Sequence, residues 1–289
     1  MTSAILVTGA TGFIGRALTV RLRAQGRSVI ALGSADGDIR EPATLRRWLG
    51  KDVGAVVHLA GRSFVPDSWQ DPSAFIDVNA GGTSRVLEYC RAAGARLVFV
   101  SGYVYGVPES LPIPETAPVR PNNPYALSKS LAEIICCFDA THRGVAVTVM
   151  RPFNVYGPGQ PEHFLIPKIL RQLKAGTAIE VMDLGPRRDW VFVEDVVDAL
   201  VAAVARGGDG YNVYNVGSGE SHSVGDVIRV AQDAARTRLA VRSQQAVRPN
   251  ELQDVVADIS KAGRELHWQP RTRLAEGIER TLLSISDRP

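Results

Sequence analysis

The sequence has few cysteines and no long hydrophobic run. Cys90, Cys136 and Cys137 are the three cysteines among 289 residues. An adjacent pair is a poor candidate for a disulfide bridge, so neither a disulfide framework nor a CxxC metal site is expected. No stretch reaches the roughly 18 apolar residues that a membrane span needs, and the N-terminus lacks a basic segment followed by an apolar one. We therefore expect a cytoplasmic protein with no membrane partner.

The sequence also lacks a run of basic residues. Its 33 Lys and Arg residues nearly balance 30 Asp and Glu residues, for a formal net charge of +3, so nucleic acid is not an expected partner. Histidines stand at positions 58, 142, 163, 222 and 267, without the short spacings of a ligand cluster, so no metal is expected. Hydrophobic residues make up 45% of the chain, which is typical of a folded globular protein.

Short apolar runs alternate with helical patterns in the first half of the chain. The runs predict strands over residues 4–8, 28–32, 55–59, 96–100 and 145–150. The intervening patterns predict helices that end near residue 25 and that cover residues 73–93 and 124–142. This alternation is typical of an α/β fold with a Rossmann-like, doubly wound parallel sheet.

After Arg151 the sequence becomes rich in proline and glycine, and the predicted elements become short and mixed. They are an amphipathic segment 164–174, a strand 178–182, a helix 190–204 and a strand 211–216 that returns to the main sheet. We predict an NAD(P)-binding Rossmann domain of residues 1–151 plus about 190–217. A smaller mixed α/β substrate lobe is predicted over about 152–189 plus 218–289.

A glycine motif follows the first predicted strand. Gly9, Gly12 and Gly15 stand between that strand and a helix, where glycines permit a tight turn and let the backbone approach a pyrophosphate. A turn with close helix packing is the alternative, because a glycine triplet alone is a weak signal. The strand context favours dinucleotide binding.

The end of the second predicted strand bears on the choice of cofactor. The strand ends at Leu32-Gly33-Ser34, and no carboxylate follows until Asp36. An acid at this point usually binds the adenosine ribose hydroxyls, so its absence would admit the 2′-phosphate of NADPH. NADPH is therefore favoured, and NAD is the alternative. The arginines that could pair with this phosphate are Arg16, Arg27 and Arg40.

Three further residues form a candidate catalytic set. Tyr125 and Lys129 open a predicted helix and lie on one face, one turn apart. A nearby cation favours the phenolate and so lowers the pKa of a tyrosine, which would make Tyr125 a better acid–base catalyst. Ser101 follows a buried strand at the edge where open α/β sheets bind ligands, and its hydroxyl can donate to a carbonyl. A surface pair and a turn serine are the alternatives.

Together these motifs resemble the extended short-chain dehydrogenase/reductases, in particular the NAD(P)-dependent sugar-nucleotide epimerase/dehydratase family. TGATGFIG, HLAG, SGYVYG, YALSK, RPFNVYGPGQ and NVGSG occur in the family's order, over almost the whole chain. The resemblance implies that Ser101, Tyr125 and Lys129 are catalytic and that Asn79 supports the active site. It also implies a homodimer formed through helices 73–93 and 124–137.

The resemblance implies binding residues as well. Tyr125 and Lys129 are expected to contact the cofactor, and Asp38 and Ile39 to flank its adenine. The other implied cofactor residues are Gly9, Thr11, Gly12, Phe13, Ile14, Gly15, Ser34, Leu59, Ala60, Gly61 and Asn79. A nucleoside diphosphate sugar is the implied substrate, and its implied contacts are Ser101, Tyr103, Asn154, Arg188, Arg248 and Glu251. Guanidinium groups suit a diphosphate, although Arg188-Asp189 could instead be a structural ion pair.

Departures from the family pattern narrow the expected reaction. Dehydratases of the family carry an Asp-Glu pair after the active Ser or Thr, because expulsion of water needs an added acid and base, whereas this chain has Gly102-Tyr103. The short form, the missing acid at the second strand end and the segments from HLAGRSFVPDSWQDP to RPFNVYGPGQ most resemble the 4-keto-6-deoxy sugar nucleotide reductases. This resemblance implies an NAD(P)-dependent oxidoreductase that reduces a 4-keto-6-deoxy sugar nucleotide. An NAD-dependent sugar-nucleotide 4-epimerase is the alternative, followed by a non-catalytic protein that senses NAD(P).

Overall fold

Six parallel strands form the central sheet of the computed structural model, which describes residues 3–245 and 252–285. In spatial order they are β2 (Val29–Leu32), β1 (Ala4–Thr8), β3 (Val53–His58), β4 (Arg96–Val100), β5 (Val147–Pro152) and β9 (Tyr211–Val216). Every neighbouring pair runs parallel. The predicted doubly wound parallel sheet is confirmed, including the return of the last strand.

Helices cover both faces of this sheet because its strands are apolar on both faces. Helices α1 (Phe13–Ala24) and α8 (Val193–Arg206) pack with α10 (Ser260–Leu266) on one face. Helices α5 (Gly82–Ala93) and α6 (Pro124–His142) pack on the other, where the short helix α2 (Pro42–Arg46) adds Leu45. Along β1, Ile5 and Val7 enter the first core and Leu6 enters the second.

A second group of elements packs around its own core. It contains a three-stranded sheet in the order β10 (Ser221–Ser223), β8 (Arg187–Phe192) and β6 (Asn154–Tyr156), and a pair formed by β7 (Ile179–Val181) and β11 (Val241–Ser243). Helices α7 (Leu165–Lys174), α9 (Val224–Ala234) and α11 (Leu274–Ser284) cover them. The predicted domain limits stay a prediction. Within the described ranges, no helix is long and apolar enough to cross a membrane.

Two predicted helices differ from those observed. The helix predicted from residue 190 is wrong at its start, because Trp190 and Phe192 belong to β8 and pair with Asn154 and Tyr156 of β6. The predicted helix 73–93 is divided into α4 (Pro72–Ile76), a π-helical turn (Asp77–Gly81) and α5, and the short α3 (Val65–Gln70) precedes it. The π turn adds a residue to one helical turn, a feature often found at functional sites.

Candidate active site

The candidate site lies at the carboxyl ends of β1, β3 and β4. The chain passes from β1 to β2 on one side and returns to β3 on the other, so the strand order reverses at β1. Open α/β sheets bind ligands in the crevice that forms at such a reversal. The glycine motif, Ser101 and the first turn of α6 all reach this edge.

The glycine loop leaves no room for a side chain at Gly9 or Gly15. Gly9 has φ +69°, and a Cβ there would stand 2.6 Å from the Ala60 nitrogen. A Cβ on Gly15 would overlap the Gly9 carbonyl oxygen, while the Gly12 nitrogen donates to that oxygen at 3.0 Å and Gly12 precedes the first turn of α1. Such a cradle at a helix N-terminus fits a dinucleotide pyrophosphate. Thr11 is exposed beside Gly33, and Phe13 and Ile14 are half-buried.

In the turn after β2, Asp36 lies closer to the end of the strand than its position in the sequence suggested. Residues 34–36 form one 3₁₀ turn that begins at Ser34. Because of this turn, the Asp36 carboxylate folds back and accepts from the Gly33 nitrogen at 2.8 Å. Ile39 packs against Gly82 at the start of α5. The sequence suggested a strand end without a carboxylate, but the Asp36 carboxylate lies there.

The arginines considered for a 2′-phosphate lie in different places. Arg27 precedes β2 and so lies at the opposite edge of the sheet, while Arg40 binds both oxygens of Asp38 through Nε at 3.0 Å. That hydrogen bonding holds the pKa of Asp38 below its ordinary value. Arg16 is exposed in the first turn of α1. Sequence reasoning missed Arg47, which donates to the Asp36 carbonyl at 2.6 Å.

Asn79, on the π turn, joins three parts of the site. Its Oδ1 accepts from the Arg62 nitrogen at 2.8 Å, and its Nδ2 donates to the Arg62 carbonyl at 3.0 Å and to Ser128 Oγ at 2.8 Å. A Cβ on Gly61 would stand 2.7 Å from Asn79 Oδ1 and 3.6 Å from Lys129 Nζ. Asn79 therefore holds the loop of residues 59–62 against α6.

A buried hydrogen-bond chain runs from β1 to the π turn. The Thr83 hydroxyl donates to the Asn79 carbonyl at 2.5 Å, so it accepts from His58 Nε2 at 3.1 Å. His58 Nδ1 then accepts from the Thr8 hydroxyl at 2.7 Å. Burial lowers the pKa of His58 to about 3. His58 is thus a neutral structural side chain with its proton on Nε2.

The predicted catalytic residues meet at the end of β4. Ser101 is 3% exposed, and its hydroxyl has no hydrogen-bond partner. The Tyr125 hydroxyl lies over Gly102, where a Cβ would stand 2.5 Å from its oxygen. Lys129 Nζ donates to the Val100 carbonyl at 2.9 Å. A buried hydroxyl without a partner, next in the chain to the glycine that the Tyr125 hydroxyl covers, fits a ligand carbonyl oxygen.

The protonation states differ from expectation. Burial raises the pKa of Tyr125 to about 12 and lowers the pKa of Lys129 to about 8. The expectation that Lys129 lowers the pKa of Tyr125 is therefore wrong for this structure, because the loss of hydration dominates and the ammonium bonds to Val100 instead. Tyr125 is a neutral phenol, ready to donate a proton.

The predicted substrate residues gather beside this group. Arg188 donates to the Leu252 carbonyl at 2.7 Å, and its charge partly offsets the burial that raises the pKa of Tyr103. The Tyr103 hydroxyl donates to the Gly106 carbonyl at 2.6 Å. Asn154 Nδ2 lies 3.4 Å from the Asp189 carbonyl. The other two predicted residues, Arg248 and Glu251, lie outside the described residues.

Asp189 does not serve as the ion-pair partner considered for Arg188. Its fully buried carboxylate accepts from the Ser218 nitrogen at 2.5 Å, the Gly219 nitrogen at 3.0 Å and the Ala257 nitrogen at 3.1 Å. Asp189 thus ties together the two loops that flank Arg188. Sequence reasoning missed this role, because backbone amides carry no sequence signal. Among the described residues, no group of His, Cys, Asp and Glu side chains could hold a metal ion.

Comparison with known proteins decides the family. The model of the NAD dependent epimerase/dehydratase family matches residues 5–217. The chain belongs to this family. GDP-6-deoxy-D-mannose reductase from Pseudomonas aeruginosa is 33% identical over 98% of this chain and 97% of that protein. UDP-glucose 4-epimerase from Mycolicibacterium smegmatis is 33% identical over 96% of each chain.

Solved structures of the epimerase/dehydratase family share the fold. RMD from Pseudomonas aeruginosa complexed with NADPH has a TM-score of 0.90, with 32% identity and 98% of both chains covered. DesIV, a dTDP-glucose 4,6-dehydratase from Streptomyces venezuelae with NAD and TYD bound, also scores 0.90, with 30% identity over 97% of this chain and 96% of that one. The resemblance is confirmed, and the roles of single site residues stay predictions.

Proposed function

We propose that the protein uses NADPH to reduce the C4 ketone of a 4-keto-6-deoxy sugar nucleotide. The family and the relatives make it an NAD(P)-dependent enzyme of sugar nucleotides, either a reductase or an epimerase. The observation that carries the choice is the group after β4: a buried Ser101 hydroxyl without a partner and a Tyr125 hydroxyl over Gly102, with Gly102-Tyr103 in place of two carboxylates. Burial raises the pKa of Tyr125, which favours the protonated phenol. A reductase uses Tyr125 as a proton donor, whereas an epimerase needs it first as an acceptor.

The chain's own residues would perform three tasks in this reaction. Ser101 Oγ donates to the ketone oxygen and polarises the carbonyl. Tyr125 donates its proton to that oxygen as negative charge develops there. Lys129 has three donors, of which the bond to Val100 uses one, so it can hold the ribose hydroxyls of the cofactor. When bound, the nicotinamide supplies the hydride.

The same group of residues disfavours 4,6-dehydration. That reaction needs an acid and a base beside the tyrosine. Gly102 has no side chain, and the Tyr125 hydroxyl lies 2.5 Å from the place where a Cβ would stand. Tyr103 follows with its hydroxyl bonded to Gly106. A dehydratase would need a rearranged Tyr125 as well as two new carboxylates.

Two features of the adenosine end support NADPH over NAD. Ser34 presents a small hydroxyl side chain at the strand end, and the Arg47 guanidinium lies 3.9 Å from the Asp36 carboxylate. Asp36 itself is bonded to the backbone of its own turn. A 2′-phosphate near Ser34 would therefore meet a cation beside the one acid of the turn.

An assay of NADPH oxidation tests the choice of reaction and cofactor. The purified protein should oxidise NADPH in proportion to the 4-keto-6-deoxy sugar nucleotide added, and faster than it oxidises NADH. If the protein instead carries bound NAD and interconverts a sugar nucleotide without added reductant, the epimerase alternative replaces the proposal. Absence of any turnover with either cofactor would favour a sensing protein.

Arg188→Ala should weaken binding of the nucleoside diphosphate by about 10-fold or more, because a charge-assisted hydrogen bond contributes about 1.5–3 kcal/mol. Cofactor affinity should stay unchanged, since the cofactor cradle lies on β1 and α1. Calorimetry with UDP, GDP and dTDP measures the first effect and also identifies the base. Arg206→Ala, at the end of α8, is the control. Wild-type affinity for all three nucleotides would contradict the role of Arg188.

The expected homodimer and the cytoplasmic location stay predictions. On α6, Leu127, Ile134 and Phe138 are 41%, 65% and 56% exposed, and a second copy packed against this helix would cover them. Sedimentation equilibrium would count the chains in the assembly.

A further inference from the structure

The Lys129 ammonium lies over the ring of Phe99. Lys129 Nζ stands 4.9 Å from the ring centroid, within the roughly 6 Å over which an aromatic face attracts a cation. Phe99 belongs to β4 and packs in the core that α5 and α6 cover. Its side chain is 0% exposed, so it does not reach a ligand in the crevice. Any effect of Phe99 on the site must therefore act through Lys129.

Two consecutive residues of β4 hold this ammonium. Nζ donates to the Val100 carbonyl at 2.9 Å, and the ring of the preceding residue, Phe99, lies against it. Side chains alternate along a strand, so the Phe99 ring enters the core beside α6 while the Val100 side chain enters the other core. A Cβ on Gly61 would stand 3.6 Å from Nζ. The ammonium is thus confined between the end of β4 and the loop of residues 59–62.

The ring also bears on the charge of Lys129. Burial removes water from the ammonium and lowers the pKa of Lys129 to about 8. The Val100 carbonyl provides an acceptor for one of its three N–H donors. An aromatic face carries negative partial charge and attracts a cation but not a neutral amine. The Phe99 ring therefore offsets part of the hydration that Lys129 loses on burial.

His58 lies on the same ring without adding a positive charge. The ring centroids of His58 and Phe99 are 5.8 Å apart, and the planes are tilted by 31°. His58 accepts from Thr8 and donates to Thr83, an arrangement that suits the neutral imidazole. A protonated His58 would bring a second cation to the Phe99 ring. The neutral form leaves the ring to Lys129.

We propose that Phe99 is a positioning residue whose ring face holds the Lys129 ammonium at the end of β4 and stabilises its positive charge. The Lys129 donors that do not bond to Val100 then stay available for the ribose hydroxyls of the cofactor. The link to turnover rests on the proposed function. The contact between Phe99 and Lys129 would serve either reaction of the family.

Fluorination of the Phe99 ring tests this contact. Phenylalanine with one, two or three ring fluorines, incorporated at position 99 alone, has a less negative ring face and nearly the same shape. The chain has five lysines, Lys51, Lys129, Lys168, Lys174 and Lys261, so their labelled Cε resonances can be titrated by NMR, and Lys129→Met assigns the one of interest. The pKa of Lys129 should fall with each added fluorine, by about one unit in total.

The other titratable groups near Lys129 keep their charge across this series. Burial shifts the pKa values of His58 on β3 and of Tyr125 and Cys136 on α6 so that all three are neutral near pH 7. Glu133, on the next turn of α6, is bonded to Arg151 at 3.0 Å. None of these groups is altered by fluorine on Phe99, so a stepwise fall in the Lys129 pKa reports the ring face.

Phe192 supplies the matched control. It is 1% exposed, lies in the separate core of the second group of elements, and also carries a cation, with the guanidinium carbon of Arg280 at 4.6 Å from its ring centroid. Three fluorines on Phe192 should leave the Lys129 titration unchanged. If the trifluorinated Phe99 protein does not fold, Phe99→Leu takes its place and should lower the Lys129 pKa as well. A Lys129 pKa that does not fall, or that falls equally with Phe192, would overturn the inference.

Activity supplies the second readout. The alkaline limb of kcat should move to lower pH with each fluorine on Phe99, because activity is lost as pH rises through the pKa of Lys129. A ring that only fills the core would lower kcat equally at every pH. If the NMR shift is seen but no keto sugar is reduced, the proposed function fails and the role of Phe99 stands. Reduction of the keto sugar with an unmoved Lys129 titration would have the opposite meaning.

Discussion

Tyr125→Phe should lower kcat by about 10²–10⁴-fold, the range that a positioned proton donor contributes. Cofactor affinity should hardly change, because the phenylalanine ring keeps the edge-on contact with Phe75, whose centroid lies 6.4 Å away. Single-turnover rates and cofactor titration, measured on the same preparation, separate the two effects. Activity within a few-fold of wild type would remove Tyr125 from the mechanism.

Gly102→Ala should lower kcat by about 10²-fold, because a displacement of about 1 Å at a reacting group has effects of that size. The new Cβ would stand 2.5 Å from the Tyr125 oxygen and 3.3 Å from its Cζ, so the Tyr125 ring must move away from residue 102. Steady-state kinetics and a thermal melt measure activity and folding together.

Gly263→Ala is the matched control for this substitution. On α10 its Cβ would meet nothing closer than 3.8 Å, and its helical backbone accepts alanine readily. It should keep wild-type kcat. Wild-type activity in Gly102→Ala as well would show that the Tyr125 hydroxyl does not stand over Gly102 during turnover.

The parts of the fold and site that follow from local sequence were predictable. Apolar runs separated by helical patterns give the parallel sheet, since each run is buried on both faces. The four-residue spacing of Tyr125 and Lys129 places them together on any helix. Ser101 follows a buried strand and so reaches the ligand-binding edge. None of these inferences needs a contact between distant segments.

The features that the sequence did not predict correctly depend on contacts between distant segments or on burial. Arg151 and Glu133 are 18 residues apart and Asp189 binds Ala257 across 68 residues, so no local pattern reveals either bond. The pKa of Tyr125 depends on how much water the folded chain excludes. Trp190 lies in β8, which β6 and β10 flank in the three-stranded sheet. The sequence does not mark the end of this strand, because the apolar residues of β8 run directly into the helical pattern of α8.

The π turn at Asn79 sets the rotational phase of α4 relative to α5. In an α-helix each residue advances the chain by about 100°, so deleting one residue from the turn would rotate all of α4 by about that angle. Phe75 would then lose its edge-on contact with Tyr125. Arg62 would lose its contact with the Phe75 ring, whose centroid lies 5.1 Å from the guanidinium carbon. The length of the π turn therefore fixes the orientation of Phe75 and with it the aromatic contact that Phe75 makes with Tyr125.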